Sequence, residues 1–281
     1  MTNHSSLRSS IVLIIVAIYS AVIPVLGSEA DFPDDSVYSA ETQADLAYPA
    51  DVMIDSVVCE DPTTFHAKQL ILPGALVAVG TFAVYNGWCR DICRDVRGGM
   101  ADIRGDHYMH FDDYVQYAPV AAYLGLSIGG VKGKHSLRQR IVAGVTAYAA
   151  MAAIVNATKY TVKERRPDSS SRNSFPSGHT ATAFTGAELI REEFGKWWGL
   201  GAYTVATGIA FMRLYNERHW LNDVIAGAGI GILSARIGFW MLPLYNRWFH
   251  WDENPCNPVI SAVPSYDPYH HAAILSISAT F

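Results

Sequence analysis

Six apolar stretches constrain the fold of this chain more than any other feature of its 281 residues. They span residues 70–88, 115–131, 141–158, 179–190, 197–212 and 224–244, and the fourth is the shortest. A helix that crosses the hydrocarbon layer of a membrane needs about 17–25 mostly apolar residues. Small residues recur within these stretches, including Gly227 and Gly231 in a GxxxG spacing, and they let helices approach closely. The sequence therefore predicts an all-α fold, a six-helix transmembrane bundle; the alternative is a soluble helical protein with buried core helices.

The composition agrees with a membrane class, since 50% of the residues are hydrophobic and 17% are charged. Charge is unevenly spread: residues 28–67 hold ten acids and no Lys or Arg, and Arg8 is the one base before them. Residues 68–281 then hold 20 Lys and Arg against 16 Asp and Glu. This small basic surplus hints at an anionic partner but is far too weak for nucleic acid.

The N-terminal segment, residues 1–27, is typical of a secretory signal peptide, with Arg8 before an apolar core and a small residue at its end. The core is long for a signal, so an uncleaved membrane anchor is the alternative. Residues 28–67 form an acidic leader of weakly ordered composition. Residues 68–250 form the main domain and 251–281 a tail, in which apolar alternation over 269–281 predicts a short strand.

The four cysteines are Cys59, Cys89, Cys93 and Cys256, and none forms a CxxC pair. Cys89 and Cys93 are four residues apart and share one face of a helix. We expect free buried thiols. The alternative is an extracytoplasmic disulfide, either Cys89–Cys93 or Cys59–Cys256.

A turn opens the fourth apolar stretch, in the sequence NSFPSGHTATAF at residues 173–184. A tight turn that leads into a helix points backbone N–H groups and the positive end of the helix dipole at one place, which suits a phosphate. The simpler interpretation is a helix cap, with Ser177 as the N-cap and Gly178 easing the turn.

Ionisable residues gather at the ends of the neighbouring apolar stretches. Lys159 and Arg166 lie in KYTVKERRP, and Arg213, His219 and Asp223 lie in RLYNERHWLND. His219 and Asp223 are four residues apart, so the carboxylate can bind one imidazole nitrogen and leave the other as a nucleophile or base. Taken singly, these are snorkelling cations and a simple helix pair. Gathered at membrane helices, ionisable groups cost free energy and usually mark function.

Three motifs in order resemble those of the type 2 phosphatidic acid phosphatase (PAP2) family, which shares its site design with vanadium haloperoxidases. They are Lys-x6-Arg-Pro at 159–167, Pro-Ser-Gly-His at 176–179 and Arg-x5-His-x3-Asp at 213–223. Met212 stands where the third family motif usually has a serine, a minor change because that serine is not catalytic. With the helix pattern, the resemblance extends over about residues 68–245.

The resemblance implies a phosphatase mechanism. His219 attacks phosphorus to form a phosphohistidine, Asp223 holds and polarises His219, and His179 protonates the leaving alcohol. The expected phosphate-binding groups are Lys159, Arg166, Ser177, Gly178 and Arg213. No metal and no other cofactor is implied; a metal triad of His179, His219 and Asp223 is disfavoured because three nearby cations would repel the ion.

The implied substrate is a lipid phosphate. A lipid A phosphate is favoured, with undecaprenyl diphosphate or phosphatidylglycerol phosphate next and phosphatidic acid a further candidate. The expected location is a bacterial inner membrane, crossed several times, with the catalytic face on the periplasmic side. A loop at residues 89–113 is expected to cover the site and read the head group through Arg94, Arg97 and Arg104.

Two features of the sequence disagree about the side of the membrane on which the site lies. The loop that holds Lys132, Lys134, Arg138 and Arg140 has no acid and is therefore expected in the cytoplasm, which places the site outside. A cleaved signal followed by six crossings places the site inside. Either residues 1–27 are not a normal signal, or one stretch, for which 70–88 is the candidate, does not cross fully.

Three other functions compete with a phosphatase. A lipid phosphotransferase would use the same phosphohistidine, and the sequence does not separate the two. A vanadate-dependent haloperoxidase is disfavoured by the apolar helices. A non-catalytic lipid-binding protein is disfavoured by the complete set of site residues. The sequence predicts no oligomeric state.

Overall fold

Helices form the main domain, as the apolar stretches predict. The computed structural model describes residues 65–251 and the backbone of two strands, 259–267 and 272–280. The predicted signal or anchor, residues 28–64 of the leader, Cys59 and Cys256 lie outside the described residues. The helices are α1 Ile71–Tyr85, α2 Gly87–Arg104, α3 Asp112–Val115, α4 Ala118–Ile128, α5 Leu137–Val162, α6 Gly178–Phe194, α7 Lys196–Tyr215, α8 Leu221–Trp240 and α9 Leu242–Phe249.

Local sequence explains where the helices that carry the site begin and end. Ser136 and Gln139 form a reciprocal capping box at the start of α5, and Lys163 ends α5 in the left-handed conformation. Ser177 is the N-cap of α6, where its side chain accepts a hydrogen bond from the backbone N–H of Thr180. The side chain of Lys159 in the last turn of α5 donates to the carbonyl oxygen of Asn173, which brings the end of α5 beside the segment that leads into α6.

Helix α8 lies at the centre of the bundle and packs against α1, α5 and α6. Its glycines permit this close packing. A Cβ at Gly227 would come within 2.6 Å of the Ser177 carbonyl oxygen, and one at Gly231 within 2.6 Å of the Ala181 carbonyl oxygen. The GxxxG spacing thus lies inside the bundle against α6, as predicted.

Three helical segments in the described residues are long and apolar enough to cross a membrane: Ala67–Tyr85, Leu137–Val162 and Leu221–Phe249. Large apolar side chains on the outer sides of α1 and α5 are exposed, as Phe82 and Val145 illustrate. Such surfaces are unfavourable in water and suit a lipid environment. The protein therefore has the helices of a multi-pass membrane protein.

The other three predicted crossings also form helices, but they differ from simple spans. Helix α4 has 11 residues, which is about 16 Å of helix against a hydrocarbon thickness of about 30 Å. Helix α6 buries a charged cluster in which Glu188 pairs with Arg191 and with Arg236 of α8. Helix α7 is 20 residues long and falls outside the set of segments that are apolar enough to span.

The segment expected as a loop at residues 89–113 is mostly helix α2, and that expectation is wrong. Cys93, Val96 and Met100 recur at helical spacing and are buried against the core. Polar residues occupy the opposite face, so α2 is an amphipathic helix that lies on the bundle. Cys89 and Cys93 are free, as predicted for these two thiols, and Cys93 is the buried one.

The tail contains an antiparallel hairpin of β1 Val259–Asp267 and β2 Ala272–Thr280, in which Val259 pairs with Thr280 and Asp267 with Ala272. Strand β2 confirms the strand predicted from the alternation at 269–281. Strand β1 was not predicted, because it contains Pro264 and lacks a clear alternation; a proline is tolerated where a strand forms the edge of a sheet.

Candidate active site

Three chain segments meet at one end of the bundle and carry all the predicted site residues. The first is the last turn of α5 with the loop 163–177, the second is the start of α6, and the third connects α7 to α8. A backbone hydrogen bond from Ser177 N–H to the Asp223 carbonyl oxygen, 3.0 Å, joins the turn just before α6 directly to the third segment. The predicted residues are Lys159, Arg166, Ser177, Gly178, His179, Arg213, His219 and Asp223.

His219 and Asp223 form a buried pair, with 3.3 Å between Nδ1 and Oδ2. The same carboxylate oxygen accepts hydrogen bonds from the Ser174 hydroxyl and, at 2.9 Å, from the Trp220 backbone N–H. Asp223 is therefore fixed from three sides. A carboxylate at Nδ1 holds the proton on that nitrogen and leaves the lone pair on Nε2.

The charge state of His219 suits a nucleophile. Burial places the pKa of His219 well below its usual range, and the positive charges of Arg213, Lys159 and Arg166 lower it further. The imidazole is thus neutral at neutral pH, with Nε2 unprotonated. Three cations from separate motifs therefore act on one imidazole ring.

The arginines of the site hold unpaired donors. Within residues 65–251, the buried side-chain nitrogens without a hydrogen-bond partner are Nε2 of His135, Nε of Arg166 and Nε of Arg213. Two of these three belong to predicted phosphate-binding groups. A buried charged donor without a partner costs free energy, which an anion would recover. Burial also lowers the pKa of Arg166, and the charges of Arg213 and Arg218 lower it further, although Asp168 opposes the shift.

Lys159 lies in the last turn of α5, half-buried, with Nζ 2.6 Å from the carbonyl oxygen of Asn173. That carbonyl belongs to the loop just before the Pro-Ser-Gly-His turn. The lysine therefore faces the site rather than the bulk membrane interface, where a snorkelling side chain would lie.

The turn itself is a helix cap. The Ser177 hydroxyl is fully buried and accepts from the Thr180 N–H at 3.4 Å and from the Thr180 hydroxyl at 3.0 Å. Gly178 is the first residue of α6, a position whose N–H has no partner within the helix. The cap and the anion-binding interpretation are compatible, because capping uses Ser177 Oγ as an acceptor and leaves its hydroxyl hydrogen and the Gly178 N–H available as donors.

Two aspartates of α3 belong to the site, and sequence reasoning missed them. Asp112 is buried with Oδ2 2.6 Å from Arg213 Nη1. Asp113 Oδ1 lies 3.1 Å from the same Nη1 and 2.9 Å from Nε2 of His179. Adjacent aspartates in an aromatic-rich stretch, FDDY, were the available signal, but they stand 100 residues before Arg213 in the chain.

A second missed group supports Asp223. The side-chain amide of Asn222 donates to Asp223 Oδ1 and to Glu164 Oε2, both at 3.1 Å. Glu164 also contacts the Asp223 carboxyl, and burial together with that neighbouring negative charge raises the pKa of Glu164 to about 8. The glutamate that follows Lys163 thus shares a hydrogen-bonded network with the carboxylate that holds His219.

Helix α2 is fastened to the α7–α8 connection. Glu217 accepts hydrogen bonds from Arg97 at 2.8 Å and Arg104 at 2.6 Å. Asn216 exchanges two hydrogen bonds with the backbone of Met109. Arg97 and Arg104 therefore hold α2 in place beside the site, and Arg94 pairs with Asp91 on the exposed side. Contact between these arginines and a head group stays a prediction.

Comparison with known proteins points to one superfamily. The sequence profile of the PAP2 superfamily matches residues 140–247, which include every predicted site residue. The lipid A 1-phosphatase of Porphyromonas gingivalis is 32% identical over 246 residues, which are 85% of this chain and 52% of that protein. This chain thus spans about half the length of that relative.

Two shorter or more distant similarities accompany it. The bacitracin transport permease protein BcrC of Bacillus licheniformis is 40% identical over 74 residues, which are 25% of this chain and 34% of that protein. The crystal structure of Aquifex aeolicus LpxE is 22% identical, covers 50% of this chain and 91% of its own, and has a TM-score of 0.40. The motifs, their convergence and the profile match agree: residues 140–247 form a domain that matches the PAP2 superfamily.

Proposed function

We propose that this protein is a membrane lipid phosphate phosphatase that acts through a phosphohistidine on His219. The observation that carries the proposal is the pair of buried, unpartnered guanidinium Nε atoms of Arg166 and Arg213 beside a neutral His219. A tetrahedral phosphate would satisfy both donors while its phosphorus faces the imidazole. Guanidinium groups suit this task because they are planar and permanently charged.

The chemistry follows from the positions of the side chains. His219 Nε2 forms a bond to phosphorus while the bond from phosphorus to the leaving oxygen breaks, and the electron pair stays on that oxygen. Asp223 stabilises the imidazolium that develops, through the 3.3 Å contact to Nδ1. His179 protonates the leaving oxygen, a contribution of about 10²–10⁴-fold. Water then attacks phosphorus and gives a proton to His179 as the base. The bond from phosphorus to His219 Nε2 breaks, its electron pair returns to that nitrogen, and inorganic phosphate is released.

Five groups hold the non-bridging oxygens: the side chains of Lys159, Arg166 and Arg213, the Ser177 hydroxyl and the Gly178 N–H. Charge spreads over these oxygens in the transition state of phosphoryl transfer, so fixed donors stabilise it more than the ground state. The proposed reaction needs no metal or other cofactor, because three fixed cations supply the positive charge and would repel a metal ion.

The substrate we propose is a lipid A phosphate. The 32% identity to a protein named lipid A 1-phosphatase supports this choice over undecaprenyl diphosphate and phosphatidylglycerol phosphate, which come next. The helices of membrane length support a substrate whose head group lies at the membrane surface while its tails stay in lipid.

We place the protein in a bacterial inner membrane as a six-helix bundle, with the site on the periplasmic side. The basic residues Lys132 and Lys134 are exposed just before α5, whereas Lys159 lies in its last turn. Helix α5 has 26 residues, so these two ends are separated by about 39 Å. A cytoplasmic basic loop therefore puts the site on the opposite side.

The experiment measures phosphate release by the full chain in detergent, with lipid A, undecaprenyl diphosphate and phosphatidylglycerol phosphate as substrates and EDTA present. We expect release that is unaffected by EDTA and abolished by His219→Ala. His107→Ala, an exposed histidine, serves as the matched control and should release phosphate like the wild type. Release that persists in His219→Ala would refute the mechanism.

The same assay separates the competing functions. Phosphate that appears on an added acceptor lipid rather than in solution would identify a phosphotransferase that uses the same His219. Binding of the lipids without any turnover would identify a lipid-binding protein.

A further inference from the structure

We propose that Asp113 is the positioning residue of the general acid: its carboxylate holds His179 through Nε2, favours the protonated form of the ring, and leaves Nδ1 to give and take the proton. This inference rests on the proposed function, because it assigns a partner to the acid of that reaction. It concerns α3, which lies outside the matched segment 140–247 and outside the three motifs.

The geometry ties Asp113 to two groups of the proposed reaction at once. Its Oδ1 is 2.9 Å from Nε2 of His179 and 3.1 Å from Nη1 of Arg213. One carboxylate oxygen thus touches both the proposed proton donor and a proposed phosphate ligand. Within the described residues, no hydrogen bond holds Nδ1 of His179, so Asp113 alone orients the ring by hydrogen bonding.

The contact between Asp113 and His179 is supported by the neighbouring Asp112. It is buried, and its Oδ2 lies 2.6 Å from the same Nη1 of Arg213. The side chain of Gln116 donates to the Asp113 carbonyl oxygen at 2.7 Å and closes the short helix behind it. Because Asp112 fixes the backbone at this point, the side chain of Asp113 lies within hydrogen-bond distance of His179, although 58% of that side chain is exposed.

The charges around His179 require such a partner. Burial is the largest effect that disfavours a positive charge on His179, and the positive charge of Arg213 from α7 adds to it. The imidazole of His219 before α8 faces the same ring. Asp112 and Asp113 from α3 act in the opposite direction. Burial raises the pKa of Asp113, but the hydrogen bond from His179 and the charge of Arg213 more than offset it, so the pKa lies below its usual value. Asp113 is therefore ionised at neutral pH and can hold an imidazolium.

His179 gives one proton in the first step of the reaction and takes one back in the second. In the first step Nδ1–H of His179 gives its proton to the leaving oxygen, which takes the electron pair of the broken bond to phosphorus. The ring becomes neutral and keeps Nε2–H, which still donates to Asp113. In the second step Nδ1 takes a proton from the attacking water, which restores the imidazolium.

The test compares two soluble phosphate monoesters, 4-nitrophenyl phosphate and a short-chain alkyl phosphate, with the full chain in detergent. Nitrophenolate leaves without a proton, whereas an alkoxide needs one. The measured quantity is kcat/KM, which reports the steps up to cleavage of the ester. We expect Asp113→Asn to lose about 10–100-fold on the alkyl ester, part of the usual contribution of general acid catalysis, and less than about 3-fold on the aryl ester.

A second readout is the pH profile on the alkyl ester. Loss of the carboxylate makes His179 lose its proton at lower pH, so the alkaline limb of kcat/KM should move to lower pH in Asp113→Asn. Asp113→Glu should recover part of the activity on the alkyl ester. Asp102→Asn, an exposed aspartate of α2, is the matched control and should behave as the wild type.

Three results would overturn the proposal. An equal loss on both esters would show that Asp113 supports the fold or the phosphate clamp. Tighter inhibition of Asp113→Asn by orthovanadate, with unchanged dependence on the leaving group, would show a carboxylate that competes with substrate. A wild-type chain that hydrolyses neither these esters nor the lipids would refute the proposed function, and the inference with it.

Discussion

Replacing Gly227 by alanine tests whether the packing of α6 against α8 sets the geometry of the site. Gly227 lies one turn beyond Asp223 on α8, facing the start of α6. An alanine Cβ would come within 2.6 Å of the Ser177 carbonyl oxygen and 3.3 Å of Thr180 Cβ. The start of α6 carries Ser177, Gly178 and His179, so any displacement of this helix moves them relative to His219.

The required displacement can be estimated. An ordinary van der Waals contact begins near 3.4 Å, so a contact at 2.6 Å demands a shift of about 0.8 Å. That shift also strains the 3.0 Å hydrogen bond from Ser177 N–H to the Asp223 carbonyl oxygen. Overpacking of a core costs about 1–3 kcal/mol. The better helix propensity of alanine recovers about 1 kcal/mol. The net loss of stability is therefore small, about 0–2 kcal/mol.

The expected loss of activity is larger than the loss of stability. A misplacement of about 1 Å costs about 10²-fold in rate, so Gly227→Ala should lose about 30–100-fold in kcat/KM for phosphate release. The melting temperature in detergent should fall by only a few degrees. Gly208→Ala is the matched control, because a Cβ at Gly208 of α7 meets no atom within 4 Å. Activity of Gly227→Ala equal to that of Gly208→Ala would refute the argument that this contact positions the site.

Other residues give further predictions. Arg166→Lys keeps the charge but removes the buried Nε donor and the planar fork, and we expect about 10–100-fold lower kcat/KM for phosphate release, with the exposed Arg165→Lys as the unaffected control. Burial and the adjacent Asp223 raise the pKa of Glu164 from 4.5 to about 8, so folded protein holds this proton more tightly than unfolded protein. The stability from this group is present below pH 4.5 and is lost as the pH rises toward about 8. Glu164→Gln should flatten that fall in melting temperature; an unchanged slope would contradict the assignment.

Much of the fold is visible in local patterns. The six apolar stretches all form helices, and the alternating end of the tail forms β2. The prediction of a loop was wrong for residues 89–104, because it relied on their high content of Arg, Asp and Gly. Cys93, Val96 and Met100 have a helical spacing within this segment, and α2 is therefore an amphipathic helix. Composition also could not show that α4 has 11 residues or that α6 buries Glu188 with two arginines.

The sequence by itself determined the list of residues that meet at the site, because Lys159, Arg166, His179, Arg213 and His219 stand in short motifs at the ends of apolar helices. The spacing of four also predicted that Asp223 pairs with His219, but tertiary structure alone decided the other partners. Asp113 reaches His179 across 66 positions of the chain, and Asn222 joins Asp223 to Glu164 across 58. The physical reason is that motif spacing and hydrophobic period describe neighbours along one helix, whereas these contacts depend on which helix ends pack side by side. The motif residues that converge, Asp223 among them, are therefore predictable from the sequence, whereas Asp113 and Glu164 are not.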